Sequence, residues 1–99
     1  MVEHIVLLKL KAGVAADQTA AVLEGLNGLK GKLPGIVSIT GGENMSPEGK
    51  SHGFSWGFKI TFEDVASRDV YLPHPDHKAM SAAKIHPIVD DVLVFDYFS

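Results

Sequence analysis

His52-Gly53-Phe54-Ser55-Trp56-Gly57-Phe58-Lys59-Ile60-Thr61-Phe62-Glu63 is the stretch on which the fold turns. Phe54, Trp56, Phe58, Ile60 and Phe62 occupy every second position, with Ser55, Gly57, Lys59 and Thr61 between them. Side chains of a strand alternate between its two faces, so this stretch reads as a strand with one strongly apolar face. Ahead of it runs a polar loop, Asn44 to Ser51, with Ser46-Pro47-Glu48-Gly49 as turn chemistry. Ile36 to Asn44 precedes the loop and reads as another strand.

Further toward the N-terminus, Val22, Leu23, Leu26, Leu29 and Leu33 form a stripe at helical spacing. They predict a helix over 16–32, with Asp17 as a cap near its start and Pro34-Gly35 as its stop. Gly25, Gly28 and Gly31 recur within it and read as close packing of this helix on a sheet. Val2 to Lys11 reads as a first strand, with His4, Val6, Leu8 and Leu10 on one face and Ile5, Leu7, Lys9 and Lys11 on the other. Neither face is cleanly polar, and a strand apolar on both faces belongs to a sheet covered on both.

Toward the C-terminus, Asp64 is placed to cap a short helix reaching about Leu72, where Pro73 stops it. His74-Pro75 opens another helix, since Pro fits a first turn. It carries His77, Met80, Ala83 and Lys84 before Pro87, and Asp91 to Phe98 reads as the last strand. The order β-α-β-β-α-β is that of the ferredoxin-like sandwich, an α+β fold, in one domain spanning 1–99. Right-handed crossovers put both helical regions on one side of the sheet. The other side then presents Ile5, Leu7, Leu93, Phe95 and Tyr97, a patch that a monomer rarely leaves bare. A homodimer pairing sheet to sheet is the expected solution.

Composition narrows the function. The net charge is −3 and the basic residues are scattered, so no basic stripe exists to neutralise phosphates and no nucleic-acid partner is expected. The chain has no cysteine, which removes disulfides, thiolate metal sites and a thiol nucleophile. Glu3, His4 and Lys9 interrupt the apolar N-terminus, unlike a signal peptide, and no run is long enough to span a membrane. A cytoplasmic location is the corresponding expectation.

Several stretches carry a resemblance to a known family. His4-Ile5-Val6-Leu7-Leu8-Lys9 resembles the opening strand of the stress-responsive A/B-barrel (Dabb) proteins. Leu29-Lys30-Gly31-Lys32 with Pro34-Gly35-Ile36, and Gly42-Glu43-Asn44 with Ser46-Pro47-Glu48, are similar to that family's helix end and loop. The most specific pieces are Tyr71-Leu72-Pro73-His74-Pro75-Asp76-His77 and Leu93-Val94-Phe95-Asp96-Tyr97. The resemblance implies a dimeric α+β barrel. In a plant member that cyclises a polyketide by an aldol condensation, the catalytic Tyr and His lie in a Tyr-x-x-His-Pro-x-His stretch, which Tyr71 and His77 match. This chain departs by carrying Leu72-Pro73, by placing Trp56 where that member has a third-strand His, and by a second half-helix one residue longer.

Strand parity extends the site. Asp96 shares its face with Val92 and Val94, opposite the face of Leu93, Phe95 and Tyr97, and so turns toward the helices. A carboxylate there needs a partner. His4 occupies the same face of the first strand, and His77 descends from the helix above. In this arrangement His77 is a general base acting on a carbon beside a carbonyl, and Asp96 or His4 fixes its tautomer. Tyr71 donates to the developing enolate oxygen. Val6, Trp56, Phe58, Ile60 and Val94 supply the lining for a hydrophobic small-molecule ligand. No cofactor is called for.

Each residue also has a plainer reading. His4 reads as a core histidine, Asp96 as a partner for backbone groups, Tyr71 as packing, and His74 as a cap beside Pro75. His52 and His86 lie near element ends and read as solvated. His4, His77 and Asp96 also imitate a two-His-one-carboxylate metal set, with His74 and His77 three apart, though no tight ligand spacing supports it. Haem-degrading and quinol-forming monooxygenases share the barrel by analogy of fold alone. A non-catalytic protein that assembles or sequesters small molecules is the third class.

Overall fold

The computed structural model describes all 99 residues. Strand β1 (Val2–Leu10) leads into helix α1 (Ala16–Lys30), then strands β2 (Ile36–Glu43) and β3 (Trp56–Phe62). Helices α2 (Val65–Tyr71) and α3 (Pro75–Met80) follow, then a π turn over Ser81–Ile85, a 3-10 turn over His86–Ile88 and strand β4 (Val89–Phe98). The strands form one antiparallel sheet in the order β2-β3-β1-β4. This is the ferredoxin-like α+β sandwich that the alternating stretch and its flanks predicted.

The register explains why the inward set coheres. Val6 pairs with Phe58 on one side and Val94 on the other, and His4 pairs with Ile60 and Asp96. Val2, Val6 and Leu8 therefore share a face with Trp56, Phe58, Ile60 and Phe62, and α1 lays Val22, Leu26 and Leu29 across it. Strand β3 is shorter than its alternation implied. Residues 52–55 lie outside it, Gly53 has a positive φ of 85°, and Phe54 is bonded back to the Ser51 carbonyl. A left-handed residue breaks the pleat, so Phe54 leaves the strand and lines a hollow with Ile5, Leu7 and Leu93 of the outer face, off the inner face its alternation implied.

Local chemistry fixes the helix ends. Asp17 lies in the first turn of α1 but is not its cap; the Ala15 N–H donates instead to Gln18 Oε1, at 2.8 Å. Asp64 Oδ1 caps α2, accepting from the Ser67 N–H and hydroxyl at 2.8 and 2.7 Å. His74 Nδ1 accepts from the Asp76 N–H at 3.1 Å, with Pro75 in the first turn of α3. Gly35, at φ +82°, ends the α1–β2 turn in van der Waals conflict with any added Cβ, because Ser67 lies against it. Gly25 does pack closely, but on helix rather than sheet: a Cβ there would meet Met80 Cγ at 2.8 Å. Gly28 and Gly31 face open space.

The edge strand β4 departs most from a covered sheet. Phe95 is 58% exposed and Leu93 43%, as the bare outer face required. Val94 on the inner side is 57% exposed as well, because the helical layer stops short of this edge. That gap is the mouth of the site.

Candidate active site

Beneath α2, α3 and the π turn, a cavity of about 300 Å³ opens between the helices and the β1–β4 edge. Of the nine residues singled out from sequence, seven line it: His4, Val6, Phe58, Tyr71, His77, Val94 and Asp96. Trp56 and Ile60 do not. Ile60 is wholly buried beneath the floor, and Trp56 lies farther along β3, packed on Phe58 with ring centroids 6.3 Å apart.

The polar groups are partitioned into two sets. Asp96 Oδ1 accepts from His4 Nδ1 at 2.7 Å, and Asp96 Oδ2 accepts from Arg68 Nη1 at 3.1 Å. His4 is 5% exposed, so this carboxylate satisfies a buried ring N–H while Arg68 balances its charge from α2. His77 takes no part in that chain. Its Nδ1 lies 3.0 Å from the Leu72 carbonyl, to which it donates. The backbone therefore fixes its tautomer, in place of the expected Asp96 or His4, and Nε2 keeps its lone pair. The reason is local: Pro73 breaks the helix after Leu72, freeing a carbonyl that faces the first turns of α3.

His77 stacks on Tyr71 with ring centroids 4.1 Å apart and planes at 28°. Tyr71 is 1% exposed and wedged edge-on to His4 at 6.2 Å and against Phe62 at 5.2 Å. Its hydroxyl has no partner in the chain, yet no sealed polar atom lacks one, so the oxygen opens into the cavity it lines. Burial pushes the Tyr71 phenol far above its ordinary value of 10, which keeps it a donor. Burial also holds His77 below the ordinary imidazole value of 6.5, with the Leu72 carbonyl opposing and His4 nearby reinforcing the shift. A neutral imidazole at physiological pH is the form that accepts a proton.

His4, His77 and Asp96 do not assemble as a metal-ligand set, and no three His, Asp or Glu side chains are grouped closely enough to hold an ion. Arg68, Ser81 and His86 were not singled out as site residues. Arg68 stands three residues before Tyr71, one helical step on the same face, a spacing that could have flagged it. His86 is exposed, as its place near an element end implied, but it lines the cavity together with Ser81.

A second, wider hollow of about 780 Å³ lies on the outer face of the sheet, lined by Ile5, Leu7, Gly57, Phe54 and Leu93 with His52 at its rim. Glu3 lies buried on that same face. Its carboxylate accepts from Thr61 at 2.6 Å and from Ser99 at 2.7 Å, bonds that lower its affinity for a proton.

A ferredoxin-like sandwich with an apolar cavity walled by a Tyr–His stack defines the class: a small α+β-barrel protein with a ligand-sized site under its helices. The family model for the stress responsive A/B barrel domain matches residues 2–99, and the chain belongs to that family. A stress-response A/B barrel domain-containing protein of Arabidopsis thaliana is 31% identical over 97% of this chain, which spans only 36% of that relative's length. Olivetolic acid cyclase of Cannabis sativa is 24% identical, with 97% of this chain and 94% of the cyclase covered. Among solved structures, At3g17210 of Arabidopsis thaliana superposes with a TM-score of 0.90 at 26% identity, covering 100% of this chain and 95% of that one. A dimeric ferredoxin-like protein of unknown function from Jannaschia sp. is 33% identical with a TM-score of 0.81, covering 99% and 98%. No helix is long and apolar enough to cross a membrane.

Proposed function

We propose that this protein binds an apolar or aromatic carbonyl compound in the inner cavity and catalyses cofactor-independent proton transfer there, of the kind that leads to aldol cyclisation. The observation that carries the reading is the Tyr71–His77 stack, with His77 Nδ1 anchored on the Leu72 carbonyl and the Tyr71 hydroxyl unpartnered. His77 Nε2 takes a proton from the carbon beside the carbonyl, and Tyr71 donates a hydrogen bond to the enolate oxygen. The enolate carbon bonds to a second carbonyl carbon of the same molecule, and the imidazolium returns its proton to the resulting alkoxide. The similarity to olivetolic acid cyclase over nearly its whole length supports this chemistry. His4, held by Asp96 and Arg68, orients Tyr71 from its edge.

The working unit in this reading is a homodimer joined through the outer sheet face, where the wider hollow and the exposed Leu93, Phe95 and Tyr97 meet a second copy. The dimeric state of the Jannaschia relative supports it. The test of catalysis is direct. With a linear polyketide thioester as substrate, His77→Ala should abolish cyclised product while leaving the fold and assembly intact. Tyr71→Phe should slow it by roughly 10²–10³, the loss of one oxyanion donor. Unaltered turnover in His77→Ala refutes the mechanism.

A further inference from the structure

The helix after His77 does not continue as an α-helix. The Ser81 N–H still donates to the His77 carbonyl, an ordinary α step. The His86 N–H, however, donates to the Ser81 carbonyl five residues back, a π step. In an α-helix a residue five places on points about 140° away, since each turn takes 3.6 residues. The wider turn takes up the extra residue and brings His86 back over Ser81. Ser81 Oγ and His86 Nε2 are 3.4 Å apart, and both residues line the inner cavity. His77, Ser81 and His86 thus make one stripe along the cavity wall. Turns of this type inside α-helices recur at functional sites.

Neither side chain is spent elsewhere. The Ser81 hydroxyl and the His86 ring have only each other as partners, through one long bond. A hydroxyl offers one donor and two acceptor sites, and an imidazole has a second nitrogen, so both have capacity left for a ligand. The rest of the cavity at this end is apolar, formed by Ile85, Val92 and Val94. We infer that Ser81 and His86 form a polar subsite that binds a second oxygen of the ligand, a hydroxyl or carbonyl lying roughly one helical turn, ~5.4 Å, from the carbonyl that Tyr71 and His77 engage. The subsite rests on the proposed use of this cavity and specifies its ligand: a carbonyl compound oxygenated at two separated positions rather than a plain alkyl or aryl ketone. The roles are distinct. His77 moves the proton; Ser81 and His86 select and hold what is bound.

The experiment compares acetophenone with meta-hydroxyacetophenone by NMR titration, following the His77 and Tyr71 ring resonances in the wild type, Ser81→Ala, His86→Ala and His86→Gln. In the wild type the hydroxylated ketone should bind about two- to tenfold more tightly, the worth of one net hydrogen bond. Ser81→Ala and His86→Ala should erase that preference without changing the acetophenone Kd, and His86→Gln should restore part of it. Both positions are partly or fully exposed, so these variants should keep the wild-type far-UV spectrum. If acetophenone binds but the wild type shows no preference, or the preference survives both alanine variants, the subsite is wrong and the proposed function stands. If neither ketone perturbs His77 or Tyr71, the cavity does not take aromatic carbonyl compounds and both readings fall.

Discussion

Replacing Phe95 by Asp should convert the protein from dimer to monomer. Phe95 projects from the edge strand on the outer face, 58% exposed, beside Tyr97 with ring centroids 6.1 Å apart. An aromatic side chain offers on the order of 200 Å², so covering the exposed share removes roughly 100 Å² from water per copy. At ~25 cal/mol per Å² that burial stabilises association by ~2.5–3 kcal/mol per protomer. A two-fold interface uses the same patch on both subunits, so the substitution acts twice and forfeits ~5–6 kcal/mol, about 10⁴ in the dimer Kd. The uncompensated carboxylates add a desolvation penalty in the same direction. Sedimentation equilibrium at micromolar concentration measures the change, with far-UV circular dichroism to show that the monomer keeps its fold. A Phe95→Asp protein that sediments as the wild type, or a wild type that is monomeric throughout, refutes the sheet-to-sheet reading.

Asp96→Ala strips the partner from the buried His4 ring N–H and should destabilise the fold by ~1–3 kcal/mol in urea titrations, the cost of one orphaned buried donor. The His77 ring should titrate by NMR with a midpoint below 6.5, because burial disfavours its cation. The sign for stability follows: above pH 6.5 both states are neutral, and as pH falls the unfolded chain binds its proton first, so stability declines through the window below 6.5 until the folded form also protonates. Gly25→Leu and Gly28→Ala should move stability in opposite directions, since an added Cβ meets Met80 Cγ at 2.8 Å at the first and nothing at the second. The first should lose ~1–3 kcal/mol by overpacking and the second gain up to ~1 kcal/mol of helix propensity, both read from chemical denaturation.

The fold was legible because its deciding signal is a period. Trp56, Phe58, Ile60 and Phe62 recur at the two-residue spacing of a pleat, and Val22, Leu26 and Leu29 at the spacing of a helix. Each period fixes a face, and faces fix layers. Where the signal is a single residue the reading slips. Phe54 continues the alternation perfectly, yet Gly53 at φ 85° ends the strand behind it, because backbone conformation at one position overrides a pattern that only side chains carry. Trp56 and Ile60 show the same limit one level up. Parity puts them on the inner face, correctly, but whether an inward residue lines a cavity or fills the core depends on what lies above it. Here α1 covers that part of β3, while the β4 edge is left uncovered.

The lining of the inner cavity was legible in most of its members and not in its bonds, and the reason lies in how hydrogen-bond capacity is shared. A carboxylate facing buried histidines must find donors; parity puts Asp96 and His4 on one face, and the β1–β4 register, which parity does not give, sets them opposite each other to pair. Which donor takes its second oxygen does not follow, because the competitors are near in space rather than in sequence. Arg68, with a charged and forked head, outranks a neutral imidazole for a carboxylate oxygen, and it occupies Oδ2. His77 is then left to the carbonyl that the Leu72-Pro73 break sets free. The result divides the labour of the two histidines. His4 is tied to a fixed ion pair and makes a wall, while His77 is tied to a neutral dipole and keeps its basic nitrogen. Had Asp96 bonded His77, a carboxylate would have raised that imidazole's proton affinity; a backbone carbonyl opposes burial only weakly, and the ring stays neutral under its helix. The same break that ends α2 therefore fixes the tautomer of His77, while burial under the helices keeps its ring neutral.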